Sequence, residues 1–409
     1  MVEIIGVPLG DKRLEEFVRV PWELNARLDG RSAENRENWR APLRLELLGT
    51  NLPGIKATGL LTPKHPYHQH ARVMHWVAKD HGKLVGRISA AFNTLTIQKG
   101  KEFEGAGFFG FFETTESKEV YSALMNEAAG WLIKHGCTRV MGPGGYSNAT
   151  FEPYQGILIE GFGTPPSVEL THNPPFYGEI IEGMGFSKIK DYVTYDFKIG
   201  EVEGDYDKRA GLMKKCKESV KEAGLTIRPL NKARLKEDIK TLADVYNEAW
   251  KDNWGFVSIT PAEGEAMADS LESIVVPELI LFAERGSGKN AEPVAIFGGV
   301  PDPLSVNRPV WPKYKQLTGL ANNEALRMVK TLVGHPPHIR IMFMGIKKGE
   351  RKRPLAGALF YGLYGILVKR GYKTADASIL LEDNLDVINL SKGFGGKYAK
   401  RYRIYQKNL

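Results

Sequence analysis

Arg340-Ile341-Met342-Phe343-Met344-Gly345-Ile346 runs directly into Lys347-Lys348-Gly349-Glu350-Arg351-Lys352-Arg353-Pro354, and this junction decides the fold. The first seven residues are almost continuously apolar, the pattern of a strand buried on both faces and central in its sheet. From Leu355 to Val368 the chain is apolar on nearly every side, which marks a buried helix, and Pro354 suits its first position. A central strand that ends in a basic loop and opens a helix favours bound anions. Unpaired helix N–H groups and the macrodipole both draw negative charge to that point.

The helix closes on Ile366-Leu367-Val368-Lys369-Arg370-Gly371, and the phrase has an earlier counterpart in Trp131-Leu132-Ile133-Lys134-His135-Gly136. A second echo follows each. Asn173 leads through Gly185-Phe186 to Tyr192-Val193-Thr194-Tyr195-Asp196-Phe197, and Asn384 leads through Gly395-Gly396 to Tyr398 and Tyr402-Arg403-Ile404-Tyr405. Upstream, each half carries two adjacent strand-like runs, Val73 to Ala78 with Leu84 to Ala90, and Leu279 to Ala283 with Val294 to Gly299. A period of roughly 200 residues is too long for a solenoid unit, so two domains of one fold are expected, each with its own core. The charged, glycine-containing stretch from Gly200 to Asp207 is the best linker, which divides the chain into residues 1–205 and 206–409.

Residues 1–60 show no sustained period and read as an irregular or helical entry segment. Ser117 to His135 reads as a helix, with Thr114, Thr115 and Ser117 offering capping oxygens, and Thr138 to Met141 as the next strand. The Gly-, Pro- and aromatic-rich insert 142–172 has no counterpart in the second half, which gives it a functional or flexible character. That half opens with a helix from Lys208 to Ala223 and a strand from Leu225 to Pro229. Helical period returns over Leu242 to Trp250 and Ala262 to Leu271, and the chain ends strand, helix, strand.

At 409 residues and 42% hydrophobic the chain has room for two domains of ordinary size. No run approaches the ~18 apolar residues of a membrane span, and Met1 to Asp11 lacks a signal-peptide pattern, so a cytoplasmic location is expected. Cys137 and Cys216 fit neither a disulfide framework nor a zinc site and read as packing residues. Charge is uneven. Residues 345–409 hold 14 Lys and Arg against 5 Asp and Glu, leaving 42 against 43 for the rest of the chain. A concentrated positive region suits a nucleotide phosphate, a nucleic acid or a membrane surface, although a solvated face is the first reading for Lys397, Lys400 and Arg401. His65, His68, His70 and His75 match no standard metal-ligand spacing and read as a loop before a strand.

The order of elements in the second half resembles the GNAT acyltransferase superfamily: strand, two helices, strand pair, central strand, basic loop and helix, strand, helix, strand. The whole chain resembles tandem-GNAT proteins over roughly residues 70–409. That likeness implies an α/β fold of two GNAT-like domains, each a central mixed sheet flanked by helices. It further implies transfer from acetyl-CoA or another acyl-CoA to a small-molecule or peptide amine, without a metal. In the superfamily an Arg/Gln-x-x-Gly-x-Gly/Ala loop cradles the cofactor pyrophosphate, and Arg351-Lys352-Arg353-Pro354-Leu355-Ala356 occupies that place. Lys352 and Pro354 stand where small residues are expected, and proline removes a donor. The resemblance therefore assigns phosphates to Arg351, Lys352 and Arg353, with Gly345 and Ile346 near the pantetheine and Asn384 matching a further family position.

The family's Tyr after that Asn falls on Ser391, with Tyr398 as a spare hydroxyl, so Ser391 and Tyr398 are candidate donors to the departing thiolate and Glu248 or Asp252 a candidate base. Trp250, Asn253 and Trp254, beside Phe256, form an expected acceptor pocket. The first domain's central strand, Gly107 to Phe112, ends in the acidic Glu113-Thr114-Thr115-Glu116 and is expected to bind no cofactor, with Tyr177 a packed aromatic. Two alternatives stand beside this reading. One is aminoacyl transfer from charged tRNA, which the basic tail would suit, and the other is a non-catalytic binding module, which Pro354 and Ser391 favour.

Overall fold

The structure, a computed structural model, describes all residues except 28, 53–54, 98–101, 145, 147–153, 201–205, 273–274, 287, 289–290, 306–336 and 352. The chain opens with strand β1 (Val2–Val7) and helix α1 (Leu14–Arg27), whose inner face buries Phe17, Val18 and Leu24. Helix α2 (Ala33–Asn38), capped by the Ser32 hydroxyl, and α3 (Arg44–Leu48) precede a small hairpin, β2 (Thr50–Leu52) and β3 (Ile55–Ala57). The first half continues with β4 (Ala71–Asp80), β5 (Lys83–Asn93), α4 (Thr94–Ile97), β6 (Ala106–Thr114) and α5 (Lys118–Lys134). It closes with β7 (Arg139–Gly144), β8 (Ile157–Glu160), α6 (Phe176–Gly183) and β9 (Ser187–Lys198).

The second half repeats the scheme. Helix α7 (Tyr206–Glu222), β10 (Leu225–Pro229), α8 (Leu235–Ala249) and α9 (Pro261–Leu271) lead to the antiparallel β11 (Ile280–Arg285) and β12 (Glu292–Pro301). Then come β13 (His338–Ile346), α10 (Arg353–Arg370), β14 (Thr374–Leu381), α11 (Leu385–Gly393) and β15 (Lys397–Asn408). The apolar run after Pro354 forms α10, which buries Leu355, Leu359 and Leu363 and packs on α7. Residues 1–60, expected to be irregular or helical, contribute a strand as well: β1 pairs along its whole length with β4. The segment escaped notice because Gly6 interrupts its apolar run.

Both halves share one sheet of 13 strands in the order β1-β4-β5-β6-β7-β15-β9-β14-β13-β12-β11-β10, with β8 paired to β15 off that path. The last strand of each half has crossed to the other. Strand β15 lies between β7 and β9, and β9 lies between β15 and β14, all antiparallel. The cores are exchanged accordingly. Tyr402 and Ile404 of β15 pack among Phe108, Met141 and Leu158 of the first half, while Val193, Tyr195 and Phe197 of β9 pack among Leu281, Ile341 and Leu359 of the second. The division at residues 205/206 thus follows the chain but not the cores.

The fully buried Asp191 on β9 fastens the exchange through Arg403 Nε at 2.9 Å and Arg401 Nη1 at 3.2 Å of β15, and Lys188 Nζ of its own strand adds a third cation at 3.1 Å. Burial works against its charge, but the three cations outweigh that and hold the carboxyl below its ordinary range.

Candidate functional site

Parallel strands β13 and β14 stay in register only from His338–Thr374 to Ile341–Ala377, and beyond that point residues 343–346 keep β12 as their paired neighbour. Against β11, β12 and β13, on the side of α8 and α9, lies a cavity of about 370 Å³. Its volume is in the range of roughly 300–1,000 Å³ usual for small-molecule sites. Met342 and Phe343 of β13 form one wall, helices α8 and α9 supply Leu242, Met267 and Leu271, and the first half closes it with Leu43, Leu45 and Leu60. The cavity therefore needs both halves.

Its polar groups are few and mostly titratable: Glu46, His65, His70, Asn93, Glu169 and Glu263 are the ones that matter chemically. His70 Nε2 lies 3.1 Å from Glu263 Oε1, joining the first half to α9 of the second. Its Nδ1 lies 3.2 Å from Asn93 Oδ1, which already accepts the Leu95 N–H at 2.9 Å and so faces the ring as an acceptor. With acceptors on both sides, the ring carries both protons. Burial opposes the cation, yet the hydrogen bond and charge of Glu263 outweigh it and raise the His70 pKa. The Glu263 carboxyl is drawn down in turn, burial notwithstanding, by His70 and by the N–H and hydroxyl of Thr260 that it also accepts as part of the α9 cap.

His65 behaves oppositely. Burial, with His68 beside it, pushes it down to about 4. Its Nδ1 accepts the Tyr67 N–H at 3.3 Å, opening the short 3₁₀ turn Pro66–Gln69, so the neutral ring keeps its proton on Nε2.

A second cluster brings two carboxyls together. Tyr154 Oη donates to Glu46 Oε2 at 3.0 Å, and Glu46 and Glu169 hydrogen-bond each other. Arg340 Nη1 donates to Glu169 Oε2 at 2.7 Å and to the Val168 carbonyl at 2.6 Å, and its Nε donates to Ser378 at 3.1 Å. Burial first, and then the charge of Glu169, raise the Glu46 pKa well above the ordinary carboxyl value, so Glu46 holds a proton. Tyr154 and Glu169 both have left-handed backbone, with φ of 61° and 64°, and the Tyr154 N–H donates to the Glu169 carbonyl at 2.8 Å. Such a conformation costs about 1–3 kcal/mol at a residue with a side chain, and strain of this kind collects at functional sites.

The residues expected from sequence are distributed elsewhere. None of Glu248, Trp250, Asn253, Trp254, Gly345, Ile346, Asn384, Ser391 or Tyr398 lines the cavity. Glu248 pairs with Lys347 at 3.2 Å. The Trp250 ring lies so close over Gly345 that a Cβ there would strike it, which explains the glycine in this strand. Trp254 is buried against Phe103 and Tyr192, at ring-centroid distances of 5.5 and 6.4 Å, within the first half's core. The side chain of Asn384 caps α11, Ser391 is buried on that helix, and the Tyr398 hydroxyl donates to Glu160. Arg351 ties the basic loop to the rest of the half, donating to the carbonyls of Ile346 at 3.2 Å and Ala249 at 2.7 Å. Lys352 and the Arg353 side chain lie outside the described residues. Tyr177 is fully buried, its hydroxyl accepting the Thr114 N–H at 2.8 Å.

His65 and His70, read from the sequence as loop residues, line the cavity, as do Glu46, Glu169 and Glu263, which no sequence pattern singled out. Among the described residues no group of three or more His, Cys, Asp or Glu is placed to hold a metal ion, and no helix is long and apolar enough to cross a membrane.

Comparison of the fold defines the class. A tandem GNAT protein from the clavulanic acid biosynthesis pathway superposes over 100% of this chain and 98% of its own, with a TM-score of 0.54 at 10% identity. The fold is thus GNAT-like, with two such halves joined in one mixed sheet flanked by helices. No protein-family model matches the chain. A bacterial ceramide synthase of Caulobacter vibrioides is 30% identical over 401 residues, 97% of this chain and 95% of that protein, and the chain belongs to its family. Protein YghO of Escherichia coli is 29% identical over 91% of this chain and 89% of its own.

Proposed function

We propose that the protein is an acyl-CoA-dependent N-acyltransferase whose acceptor is a long-chain amino alcohol, giving an amide of the ceramide class. The observation that carries this reading is the cavity between the halves: apolar on most of its wall, yet furnished with Glu46, Glu169 and Glu263. An apolar site with carboxyl groups favours a cationic amphiphile, which an alkyl chain bearing an ammonium group is. The name of the Caulobacter relative describes amide formation on such a base.

Acyl-CoA would supply the activated thioester carbonyl. Its carbonyl end suits the part of β13 beyond Ile341, where the strand edge turned toward β14 has no strand partner. Its phosphates suit the loop after that strand, where Lys348 is exposed and the N-terminal end of α10 adds positive potential. Arg351 acts here through its bonds to Ile346 and Ala249, which hold the loop against α8. His65, neutral and with Nε2–H left over, is a donor for an oxygen or sulfur inside the cavity. His70 and Glu263 join the two walls around the acceptor.

The test is a direct assay of the purified chain with sphinganine and a series of acyl-CoA lengths, following thiol release and amide product by mass spectrometry. Stoichiometric thiol and amide are expected. Thiol release without amide, or no release with any acyl-CoA, would overturn the reading.

A further inference from the structure

Two glutamates hydrogen-bonded to each other on the wall of an apolar cavity require an explanation, because two half-buried carboxyls brought together against apolar surface repel when both are ionised and water would satisfy them better. Their neighbours are arranged to keep the pair in place. Tyr154 donates to Glu46, Arg340 donates to Glu169, and both Tyr154 and Glu169 hold left-handed backbone to do so. One guanidinium balances one carboxylate, so the trio is neutral while Glu46 keeps its proton and negative once Glu46 gives it up.

We infer that Glu46 is an exchange site, where the ammonium group of the acceptor enters beside Glu169 and replaces the proton that Glu46 carries in the free protein. The inference rests on the acyltransferase reading and deepens it. On binding, Glu46–COOH and R–NH₃⁺ become Glu46–COO⁻ against R–NH₃⁺, with one proton released to solvent. The carboxylate so formed stands against the amine and takes its proton, giving R–NH₂ and restoring Glu46–COOH. The second amine proton leaves with the departing sulfur as the N–C bond forms and the C–S bond breaks. The balance closes, since joining an ammonium to a thioester yields amide, thiol and one free proton, here the one shed at binding.

The charged and titratable groups around Glu46 are Glu169, Tyr154 and Arg340, with Lys56, His65, His70 and Glu263 elsewhere on the cavity wall. Glu46 is the carboxyl among them that burial and the charge of Glu169 keep protonated. Amine affinity is therefore expected to rise with pH as Glu46 becomes easier to ionise, until the amine itself loses its charge.

Calorimetric titration of the full chain with decylamine, and with decanol as its neutral counterpart, tests this near about pH 7 in phosphate and in Tris, buffers of different ionisation enthalpy. The expected result is a buffer-dependent heat corresponding to proton release for decylamine and none for decanol. Glu46→Gln should remove that release and weaken decylamine by about ten- to a hundredfold, with decanol unaffected. Decylamine binding in the wild type without proton release, or no decylamine binding, overturns the inference without reference to any variant, as does unchanged release in a folded Glu46→Gln protein. The acyltransferase reading fails separately: amide formed without proton exchange sinks only the role of Glu46, while proton exchange without amide sinks only the transfer reaction.

Discussion

The contact between His70 and Glu263 joins two residues nearly two hundred positions apart, and its titration has a definite sign. His70 has its pKa raised in the folded protein, so its contribution is complete below the ordinary imidazole value of 6.5 and fades as pH climbs through the raised value. Glu263 has its pKa lowered, so its contribution is present above the ordinary 4.5 and fades as pH falls through the lowered value. Replacing His70 by Gln should therefore lower the melting temperature most at about pH 5–6, with the gap closing toward alkaline pH. A gap in scanning fluorimetry that widened with pH would count against the pairing. The site was only partly legible in the sequence. The histidines were conspicuous, but their spacing showed no ligand set, because the partner of His70 sits on α9 and no local pattern announces it. Glu46 and Glu169 looked like any other charges until folding brought them together. Trp250 and Trp254 misled for the converse reason: an aromatic-polar mixture was read as a pocket, whereas one ring covers Gly345 and the other packs in a core.

At the scale of elements, the strand and helix pattern was largely readable. The expected strand of 340–346 is β13, the buried helix after Pro354 is α10, and the repeated strand pairs are β4–β5 and β11–β12. Periodicity cannot reveal which sheet a strand joins, since side-chain alternation along β9 and β15 is the same whichever neighbours they take. Asp191 is the residue on which that choice leans. Asp191→Ala leaves Arg403, Arg401 and Lys188 without their shared buried carboxylate, and we expect a loss of about 3–5 kcal/mol in chemical denaturation, the range for breaking a buried ion pair. A loss within the few tenths typical of a surface pair would show that apolar contacts alone hold the exchanged strands.

Taken whole, the molecule uses part of its basic surplus internally. Arg401 and Arg403 serve Asp191, Lys400 donates to Gly161 and Thr164, Arg370 holds Glu278, and Arg351 holds two carbonyls. These five are taken up inside the fold while Lys369, Lys373, Lys392 and Lys397 stay exposed, so tRNA binding should fall less steeply with salt than the full charge of the segment would give. Because each half's core contains the other's strand, heat should unfold the chain in one calorimetric transition, and a resolved pair of transitions would contradict the exchange. The order of synthesis adds a constraint of another kind. Chains usually fold from the N-terminus as they emerge from the ribosome, one domain after another. Here β7 and β9 face a gap until residues 397–408 have been made, because β15 fills the space between them. The nascent first half must wait with two open strand edges exposed while the whole second half is made, which makes the period before residues 397–408 emerge, and the chaperones present during it, the point at which this protein is most easily lost to aggregation.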